Sequence, residues 1–182
     1  LLEESLCKWF AKKIGFNDLS GGIAASGGTL SNLNALIAAR NNAGLATNPN
    51  SVLLVSEDAH SSFVKCIRVM GLDTTNLVRI KTDNQGRMDI NDLRKSLDKC
   101  TVENKKIFAI VATLGTTVRG AIDPIKEISE ICKERNIWLH IDGSIGGIFA
   151  VTSIPIKGLN NMNQANSITI NPQKIIGITK TS

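Results

Sequence analysis

Residues 137–142 read Ile-Trp-Leu-His-Ile-Asp, a short apolar run that ends in a carboxylate. Residues 167–174 read Ser-Ile-Thr-Ile-Asn-Pro-Gln-Lys, a second such run that is followed by a lysine. Runs of this length and composition are typical of strands that are buried in a parallel sheet. We therefore expect Asp142 and Lys174 to lie at the carboxyl ends of two strands of one sheet, where ligands bind in such folds.

The rest of the chain alternates between strand-like and helix-like patterns. Helices are predicted at residues 1–13, 29–40, 61–70, 90–97 and 124–135, and further strands at residues 51–55, 77–80 and 107–111. Pro124 is expected at the first position of its helix, where a missing N–H costs little. Strands that alternate with helices indicate an α/β fold, with a mainly parallel sheet covered by helices on both faces and joined by right-handed crossovers.

Both ends of the chain show patterns of their own. In the first predicted helix, Leu2, Leu6, Trp9 and Phe10 share one face. The chain does not begin with Met, and residues 178–182 read as the start of another strand. We therefore expect residues 1–182 to be part of a longer polypeptide.

The amino-acid composition favours a globular protein and argues against several other classes. The chain has 182 residues, of which 42% are hydrophobic, and this is enough for one domain with a buried core. The net charge is +5, but the basic residues are scattered and Tyr is absent, so no nucleic-acid surface is expected. No apolar run approaches the roughly 18 residues that a membrane span needs. The four cysteines are widely spaced, which favours reduced thiols in a cytoplasmic protein over a zinc site or a disulfide framework.

A glycine-rich segment, Ser26-Gly27-Gly28-Thr29, precedes the helix predicted at residues 29–40. Glycines let backbone N–H groups approach an anion, the two hydroxyl groups add donors, and the helix dipole favours negative charge. The segment is therefore a candidate phosphate site. The alternative is a flexible turn in which Thr29 is the N-cap of the helix.

Two more candidates follow predicted strands. His60 comes after the strand at residues 51–55, where an imidazole can stack on an aromatic ring; the alternative is a solvated or N-capping histidine. Leu-Gly-Thr-Thr at residues 114–117 closes the strand that begins at Ile107. Its hydroxyl groups could bind a cofactor or a substrate, and the alternative is a turn that satisfies its own backbone.

Asp142 and Lys174 complete the set of candidates. A carboxylate at the end of a buried strand needs an ion pair, a hydrogen bond or water, and a protonated pyridine nitrogen is one suitable partner. The alternative for Asp142 is a helix N-cap. Lys174 is followed by two isoleucines, so partial burial would favour its neutral, nucleophilic amine, and Lys180 is the competing lysine. His140 lies on the other side of its strand from Ile141, and we interpret it as structural.

A lysine, an aspartate and a glycine-rich helix start are together what a pyridoxal 5′-phosphate (PLP) site requires. In their order along the chain, these segments resemble the group II PLP-dependent amino acid decarboxylases, which include the glutamate, aromatic amino acid, histidine, diaminobutyrate and cysteine sulfinate decarboxylases. The matching segments are residues 26–40, 56–71, 114–124, 138–142 and 171–174. The resemblance implies the large domain of an aspartate aminotransferase-like PLP enzyme. It is incomplete here, because an N-terminal segment and a small C-terminal domain are expected outside residues 1–182.

The resemblance also implies roles for individual residues. Lys174 would hold PLP as a Schiff base, Asp142 would bind the pyridine nitrogen, and His60 would stack on the ring. The implied cofactor contacts come from Ser26, Gly27, Gly28, Thr29, His60, Thr117, Asp142, Ser144, Asn171, Gln173 and Lys174. Two of these depart from the family pattern, because Ser144 stands where alanine is usual and Gln173 stands where histidine is usual.

The implied reaction is decarboxylation of an L-amino acid to its amine, with release of carbon dioxide, by a homodimer. The family's proton donor lies beyond the lysine, outside residues 1–182, so we expect this chain alone to be inactive. One alternative is a PLP-dependent carbon–carbon lyase or another PLP enzyme of the same fold. A second is a non-catalytic PLP-fold protein, marked by Ser144 and Gln173. The third is a nucleotide-binding domain, which is disfavoured because no acidic residue ends the strand at residues 52–55.

Overall fold

A computed structural model of the chain describes residues 2–153, 156 and 158–177. The strands are β1 (Ser51–Ser56), β2 (Leu77–Ile80), β3 (Lys106–Thr113), β4 (Trp138–Gly143) and β5 (Ser167–Ile170). The helices are α1 (Leu2–Ile14), α2 (Gly28–Asn42), α3 (Ser62–Val69), α4 (Ile90–Val102), α5 (Ile125–Arg135) and α6 (Gln173–Ile176). The strands form one sheet in the order β2-β1-β3-β4-β5, and every neighbouring pair is parallel. The predicted α/β class is confirmed.

The connections place helices on both faces of the sheet. From β1 the chain passes through α3 to β2 on one side, and it then returns through α4 and α5 to the strands on the other side. Because the direction of travel reverses, crossovers of one hand require the helices to change face. The order reverses between β1 and β3, so the carboxyl ends of these strands flank the position where such sheets bind ligands.

Two apolar clusters fill the space between the sheet and its helices. The first lies under α2 and α3 and includes Leu36, Phe63 and Val111. The second lies under α4 and α5 and includes Leu97 and Ile128. Every residue of β1 is buried, as expected for a central strand that is covered on both faces.

Several predicted boundaries differ from the structure. Helix α2 begins at Gly28 with Gly27 as its N-cap, so the interpretation of Thr29 as N-cap is wrong. Pro124 is the N-cap of α5 and not its first helical residue, because its ψ of 76° is not helical. Strand β4 includes Asp142, which pairs in register with Thr113 and Thr169 on the neighbouring strands. The strand predicted at residues 178–182 lies outside the described residues.

Helix α1 forms as predicted, but the described residues do not cover its apolar face. Leu2 is 84% exposed, Leu6 51% and Trp9 45%. Ala11 is buried, and Ile14, the last residue of α1, packs against the core under α4 and α5. Near the other end Glu3 accepts from the backbone N–H of Ala24 at 2.6 Å, but most of the apolar face of the helix remains at the surface. No helix in the described part of the chain is long and apolar enough to span a membrane.

Arg40 joins α2 to two loops from a nearly buried position, with 6% of its surface exposed. Its guanidinium donates to the carbonyl oxygens of Leu45 at 2.9 Å, Asn48 at 3.0 Å and Met70 at 2.8 Å. Without the guanidinium these partly buried carbonyl groups would lose charged donors, and the loss of hydrogen bonds to a charged group is costly. Arg40 therefore stabilises the face of the sheet on which α2 lies.

We predict that Arg40→Met lowers the free energy of unfolding by about 3 kcal/mol, because the carbonyl groups lose charged donors that the methionine cannot replace. Chemical denaturation measures the change. The matched control is Arg94→Met, since Arg94 is half exposed and lies 3.9 Å from Glu134. The control is expected to change the free energy by less than about 0.5 kcal/mol. Equal effects of the two substitutions would contradict the structural role of Arg40.

Candidate functional site

A row of polar side chains crosses the carboxyl ends of three strands. Thr113, Asp142 and Thr169 are in register on β3, β4 and β5, and they are 5%, 5% and 1% exposed. Helix α2 covers this row, with Ser31 Oγ 3.0 Å from Thr169 Oγ1. Thr113 Oγ1 is buried and has no hydrogen-bond partner among the residues that the structure describes. The row therefore contains one polar atom whose hydrogen-bonding capacity is unused by the described residues.

Asp142 is a nearly buried carboxylate that is bound by neutral donors. Its Oδ2 accepts from Asn32 Nδ2 at 3.1 Å, and its Oδ1 accepts from the backbone N–H of Ser144 at 3.1 Å. It is not a helix N-cap, because Ile145 precedes the 3₁₀ segment that follows. No ion pair involves Asp142 in the described part of the chain. A buried charge without a counter-ion is costly, so this position suits a cationic group of a ligand.

The start of α2 is open to an anion. No side chain caps the helix, and its first turn contains no acidic residue. Leu30 and Ser31 donate to the carbonyl oxygen of Gly27, so within the described residues the N–H groups of Gly28 and Thr29 are the ones left for a ligand. Ser26 and Thr29, which flank the glycines, are exposed.

The ends of β4 and β5 approach the same helix start. A Cβ atom on Gly28 would lie 2.7 Å from Ser144 Oγ and 3.9 Å from Asn171 Nδ2. Both of these partners are nearly buried, at 7% and 9% exposure. The fold thus brings together Gly28, Ser144 and Asn171, three of the predicted site residues, and it connects them to Asp142 through the backbone of Ser144.

His60 lies after β1 and is exposed, and its ring is anchored to α3. Nδ1 accepts from the backbone N–H of Ser62 at 3.1 Å and is 2.8 Å from Ser62 Oγ. The N-cap of α3 is Ser61, so the N-capping alternative for His60 is wrong, and the ring is held by the contact with Ser62. This contact fixes the imidazole beside the carboxyl end of β1 and does not exclude stacking on a ligand.

The two threonines of the turn after β3 have different environments. Thr116 is 3% exposed, and its Oγ1 accepts from the backbone N–H of Ala121 at 3.0 Å. Thr116 therefore fits the alternative of a turn that satisfies its own backbone. Thr117, the predicted site residue, is exposed.

Asp123 holds this turn against the sheet, a role that the sequence did not reveal. It is 1% exposed and accepts from the backbone N–H groups of Met88 and Thr113, each at 2.7 Å. Burial raises the pKa of Asp123 to about 6, although the two N–H donors act in the opposite direction. Sequence analysis included Asp123 only within the matching segment 114–124, and its partner Met88 is 35 residues away in the chain.

Lys174 lies on α6, just beyond β5, and is exposed. The prediction of partial burial is wrong, because Ile175 and Ile176 are 47% and 59% exposed and do not enclose the amine. Among the described residues, no hydrogen bond or ion pair joins Asp142 to Lys174, His60 or Thr117. The competing Lys180 lies outside the described residues.

Sequence analysis missed the partners behind Asp142. Asn32, 2% exposed, also accepts from His140, whose Nε2 is 3.0 Å from Asn32 Oδ1. His140 is completely buried, and burial lowers its pKa to about 4, although the charge of Asp142 and the backbone of Ser167 act in the opposite direction. The period of two in strands could have revealed this link, because it puts His140 and Asp142 on one face.

We predict that Asp123→Asn removes one pH dependence of stability. The folded pKa of about 6 lies above the ordinary 3.8, so Asp123 favours folding most below about pH 4 and loses this contribution as the pH rises through 6. The stability of the native protein relative to Asp123→Asn should therefore fall by up to about 3 kcal/mol between about pH 4 and pH 7. Chemical denaturation across this range measures the difference, and a constant difference would contradict the prediction.

We predict that Gly28 and Ser144 are energetically coupled. A methyl group at position 28 would force Ser144 Oγ to rotate away, whereas the Cβ atom of Ser144 would remain 3.6 Å distant. Gly28→Ala should therefore cost about 1 kcal/mol more in the native protein than in a Ser144→Ala background. A double-mutant cycle of unfolding free energies measures this coupling. Additive effects would show that the close approach does not constrain the helix start.

Comparison with known proteins places these observations in a family. The model of the pyridoxal-dependent decarboxylase conserved domain matches residues 1–181. An aromatic-L-amino-acid decarboxylase of Bacillus atrophaeus is 31% identical over 95% of this chain, which covers 36% of that protein. The human acidic amino acid decarboxylase GADL1 is 34% identical over 97% of the chain, which covers 35% of that protein.

The fold gives the same result. The crystal structure of mouse CSAD in apo form superposes with a TM-score of 0.91 and 30% identity over 97% of this chain, which covers 38% of that structure. The chain thus spans about a third of the length of the curated relatives that it matches. With the family model matched along almost its whole length, the chain belongs to the pyridoxal-dependent decarboxylase family, whose cofactor is pyridoxal 5′-phosphate.

Proposed function

We propose that the protein decarboxylates an L-amino acid to its amine, with PLP as the cofactor. The observation that carries this proposal is Asp142, a nearly buried carboxylate with only neutral donors, at the sheet edge beside an uncapped helix start. A ligand that has both a cationic ring nitrogen and a phosphate meets both needs at once. Membership of the family supports the general reaction.

The proposed cofactor contacts are supported by the geometry of Asp142 and the start of α2, and for the remaining residues by the resemblance to the family. Asp142 is proposed to bind the pyridine nitrogen, because a cation there would balance its buried charge. The start of α2 is proposed to bind the phosphate through its backbone N–H groups and the exposed hydroxyl groups of Ser26 and Thr29. Further contacts are proposed from Gly27, Gly28, His60, Thr117, Ser144, Asn171 and Gln173.

Each side chain has a defined task in the proposed reaction. When bound, the cofactor supplies an electron sink for the charge that remains at the α-carbon after carbon dioxide leaves. Asp142 holds the proton at the ring nitrogen, since a carboxylate beside it favours the cationic form. His60, held by Ser62 through Nδ1, restricts the tilt of the ring. The exposed amine of Lys174 is proposed as the group that attaches the cofactor covalently.

The remaining parts of the active enzyme are proposed to come from outside residues 1–182. They include the groups that recognise the substrate side chain, the proton donor, a small C-terminal domain and the second subunit of a homodimer. The chain spans only about a third of its curated relatives, which leaves room for all of these parts. We therefore expect the isolated chain of 182 residues to be inactive.

The deciding experiment measures carbon dioxide and amine release by the full-length protein, loaded with PLP, from acidic, basic, aromatic and sulfur-containing amino acids. Equal amounts of the two products from one substrate would support the proposal and identify that substrate. Carbon–carbon cleavage products without carbon dioxide would favour the lyase alternative. Cofactor binding without turnover of any substrate would favour a non-catalytic protein, and Ser144 and Gln173 would then be the residues to revert.

We predict that Lys174→Ala abolishes covalent attachment of the cofactor and lowers decarboxylation by roughly 1,000-fold or more, as removal of a covalent catalyst does in other enzymes. Lys180→Ala is the matched control and should retain both properties. Borohydride reduction followed by peptide mass spectrometry locates the attachment site, and initial rates measure turnover. A reduced adduct on Lys180, or full activity of Lys174→Ala, would contradict the assignment of Lys174.

A further inference from the structure

A chain of hydrogen bonds runs from the partly exposed amino end of β4 to the nearly buried carboxylate of Asp142. Trp138 Nε1 donates to Ser167 Oγ at 2.8 Å, and Ser167 Oγ is 2.9 Å from His140 Nδ1. His140 Nε2 is 3.0 Å from Asn32 Oδ1, and Asn32 Nδ2 is 3.1 Å from Asp142 Oδ2. We refer to these five side chains, Trp138, Ser167, His140, Asn32 and Asp142, as the buried chain.

The two ends of the buried chain determine the direction of every bond in it. An indole N–H can only donate, so Ser167 Oγ accepts from Trp138 and has its own hydrogen free for His140 Nδ1. An ionised carboxylate can only accept, so the NH₂ group of Asn32 faces Asp142 and its oxygen faces His140. His140 must then donate from Nε2 and accept at Nδ1. This describes one neutral tautomer, whereas an imidazolium cannot accept at Nδ1 and would leave the hydrogen of Ser167 without a partner in the buried chain.

The reverse direction leaves one hydrogen without a partner at the tryptophan end of the buried chain. A protonated Asp142 could donate to Asn32, and the amide could then turn and donate to His140 Nε2. In that case His140 would donate from Nδ1 to Ser167, which already accepts from Trp138 and would have no acceptor in the buried chain for its own hydrogen. Within the buried chain, only the direction that ends on an ionised Asp142 gives every donor and acceptor a partner, whereas the reverse direction would leave the hydroxyl hydrogen of the partly exposed Ser167 to solvent.

From this geometry we propose that His140 is a positioning residue that orients the amide of Asn32, and thereby keeps a hydrogen-bond donor on Asp142 Oδ2. This inference rests on the proposed function, in which Asp142 binds the pyridine nitrogen. If Asn32 turned over, its oxygen would face the carboxylate and would disfavour the ionised form. Trp138 and Ser167 act on Asn32 indirectly, because their hydrogen bonds to each other and to His140 Nδ1 determine the tautomer of His140.

The protonation state of His140 also affects which group balances the charge of Asp142. An imidazolium behind Asn32 would compete with the pyridine nitrogen as the counter-ion of Asp142. A neutral His140 leaves the carboxylate with its full charge, so the ring nitrogen retains its proton more strongly. The complete burial of His140 favours this neutral form.

The first measurement uses the full-length apoprotein and needs no cofactor. Histidine labelled with ¹⁵N reports the protonation of each ring nitrogen, and the signals that disappear in His140→Gln belong to His140. The expected result is a proton on Nε2 and none on Nδ1 near neutral pH. An imidazolium, or a proton on Nδ1, would overturn the inference.

The second measurement compares two substitutions, His140→Gln and His140→Leu, which are expected to have different effects on PLP binding. Glutamine can donate from its amide to Asn32 Oδ1, whereas leucine cannot, so His140→Gln should preserve the orientation of Asn32 and His140→Leu should lose it. PLP labelled with ¹⁵N at the ring nitrogen reports its protonation, and titration gives the dissociation constant. We expect His140→Leu to weaken PLP binding by roughly tenfold or more and to shift the ring nitrogen towards its unprotonated signal, with His140→Gln close to the native protein.

Ser31→Ala is the matched control, because it removes a hydroxyl from the same contact between α2 and β5, the 3.0 Å pair with Thr169, without touching the buried chain. It should leave the ring nitrogen protonated. If His140→Leu and His140→Gln behave alike, or Ser31→Ala behaves like His140→Leu, the positioning role is wrong. If the native protein binds no PLP, the proposed function fails, while the tautomer of His140 in the apoprotein still tests the direction of the buried chain.

Discussion

The burial of one negative charge organises the centre of this fold. Asp142 lies at the end of a central strand, 5% exposed, where an unpaired carboxylate is expensive. Within the described residues it receives an amide N–H from Asn32 and a backbone N–H from Ser144, and it has no counter-ion. Neutral donors offset part of the cost, and a cationic ligand would offset the rest. Helix α2 lies over the strand ends and supplies one of these neutral donors through Asn32.

Helix α2 contributes to the site in two ways, through its first turn and through the side chain of Asn32 on its buried face. Its first turn offers uncapped N–H groups at the surface, and its second turn directs Asn32 towards Asp142 inside the protein. Both contributions require α2 to lie close to the ends of β4 and β5. Gly28 permits this approach because it has no side chain, whereas any side chain at position 28 would contact Ser144. Ser144, where the family usually has alanine, is thus tied to the helix start. The phosphate and nitrogen ends of the proposed cofactor site are parts of one packed unit.

Local patterns predicted several features correctly and others wrongly, for identifiable reasons. The parallel sheet followed from short apolar runs that alternate with helical periods, and the positions of Gly28 and Asp142 followed from the ends of those runs. The partial burial of Lys174 was inferred from neighbouring isoleucines, yet Ile175 and Ile176 are exposed, since four residues of α6 do not form an enclosing face. Likewise, the shared apolar face of α1 did not reveal that its described neighbours leave Leu2 and Trp9 exposed.

The sequence by itself determined the fold class, the family and the candidate residues, because periodicity and motif order are properties of neighbours along the chain. The tertiary structure alone decided which residues support Asp142. Asn32 is 110 residues from Asp142 and 108 from His140, and Asp123 is 35 residues from Met88. Bonds between such distant residues leave no local pattern. They exist because the sheet aligns the strand ends in register and α2 lies across them, so direction and tautomer are fixed only after the chain has folded.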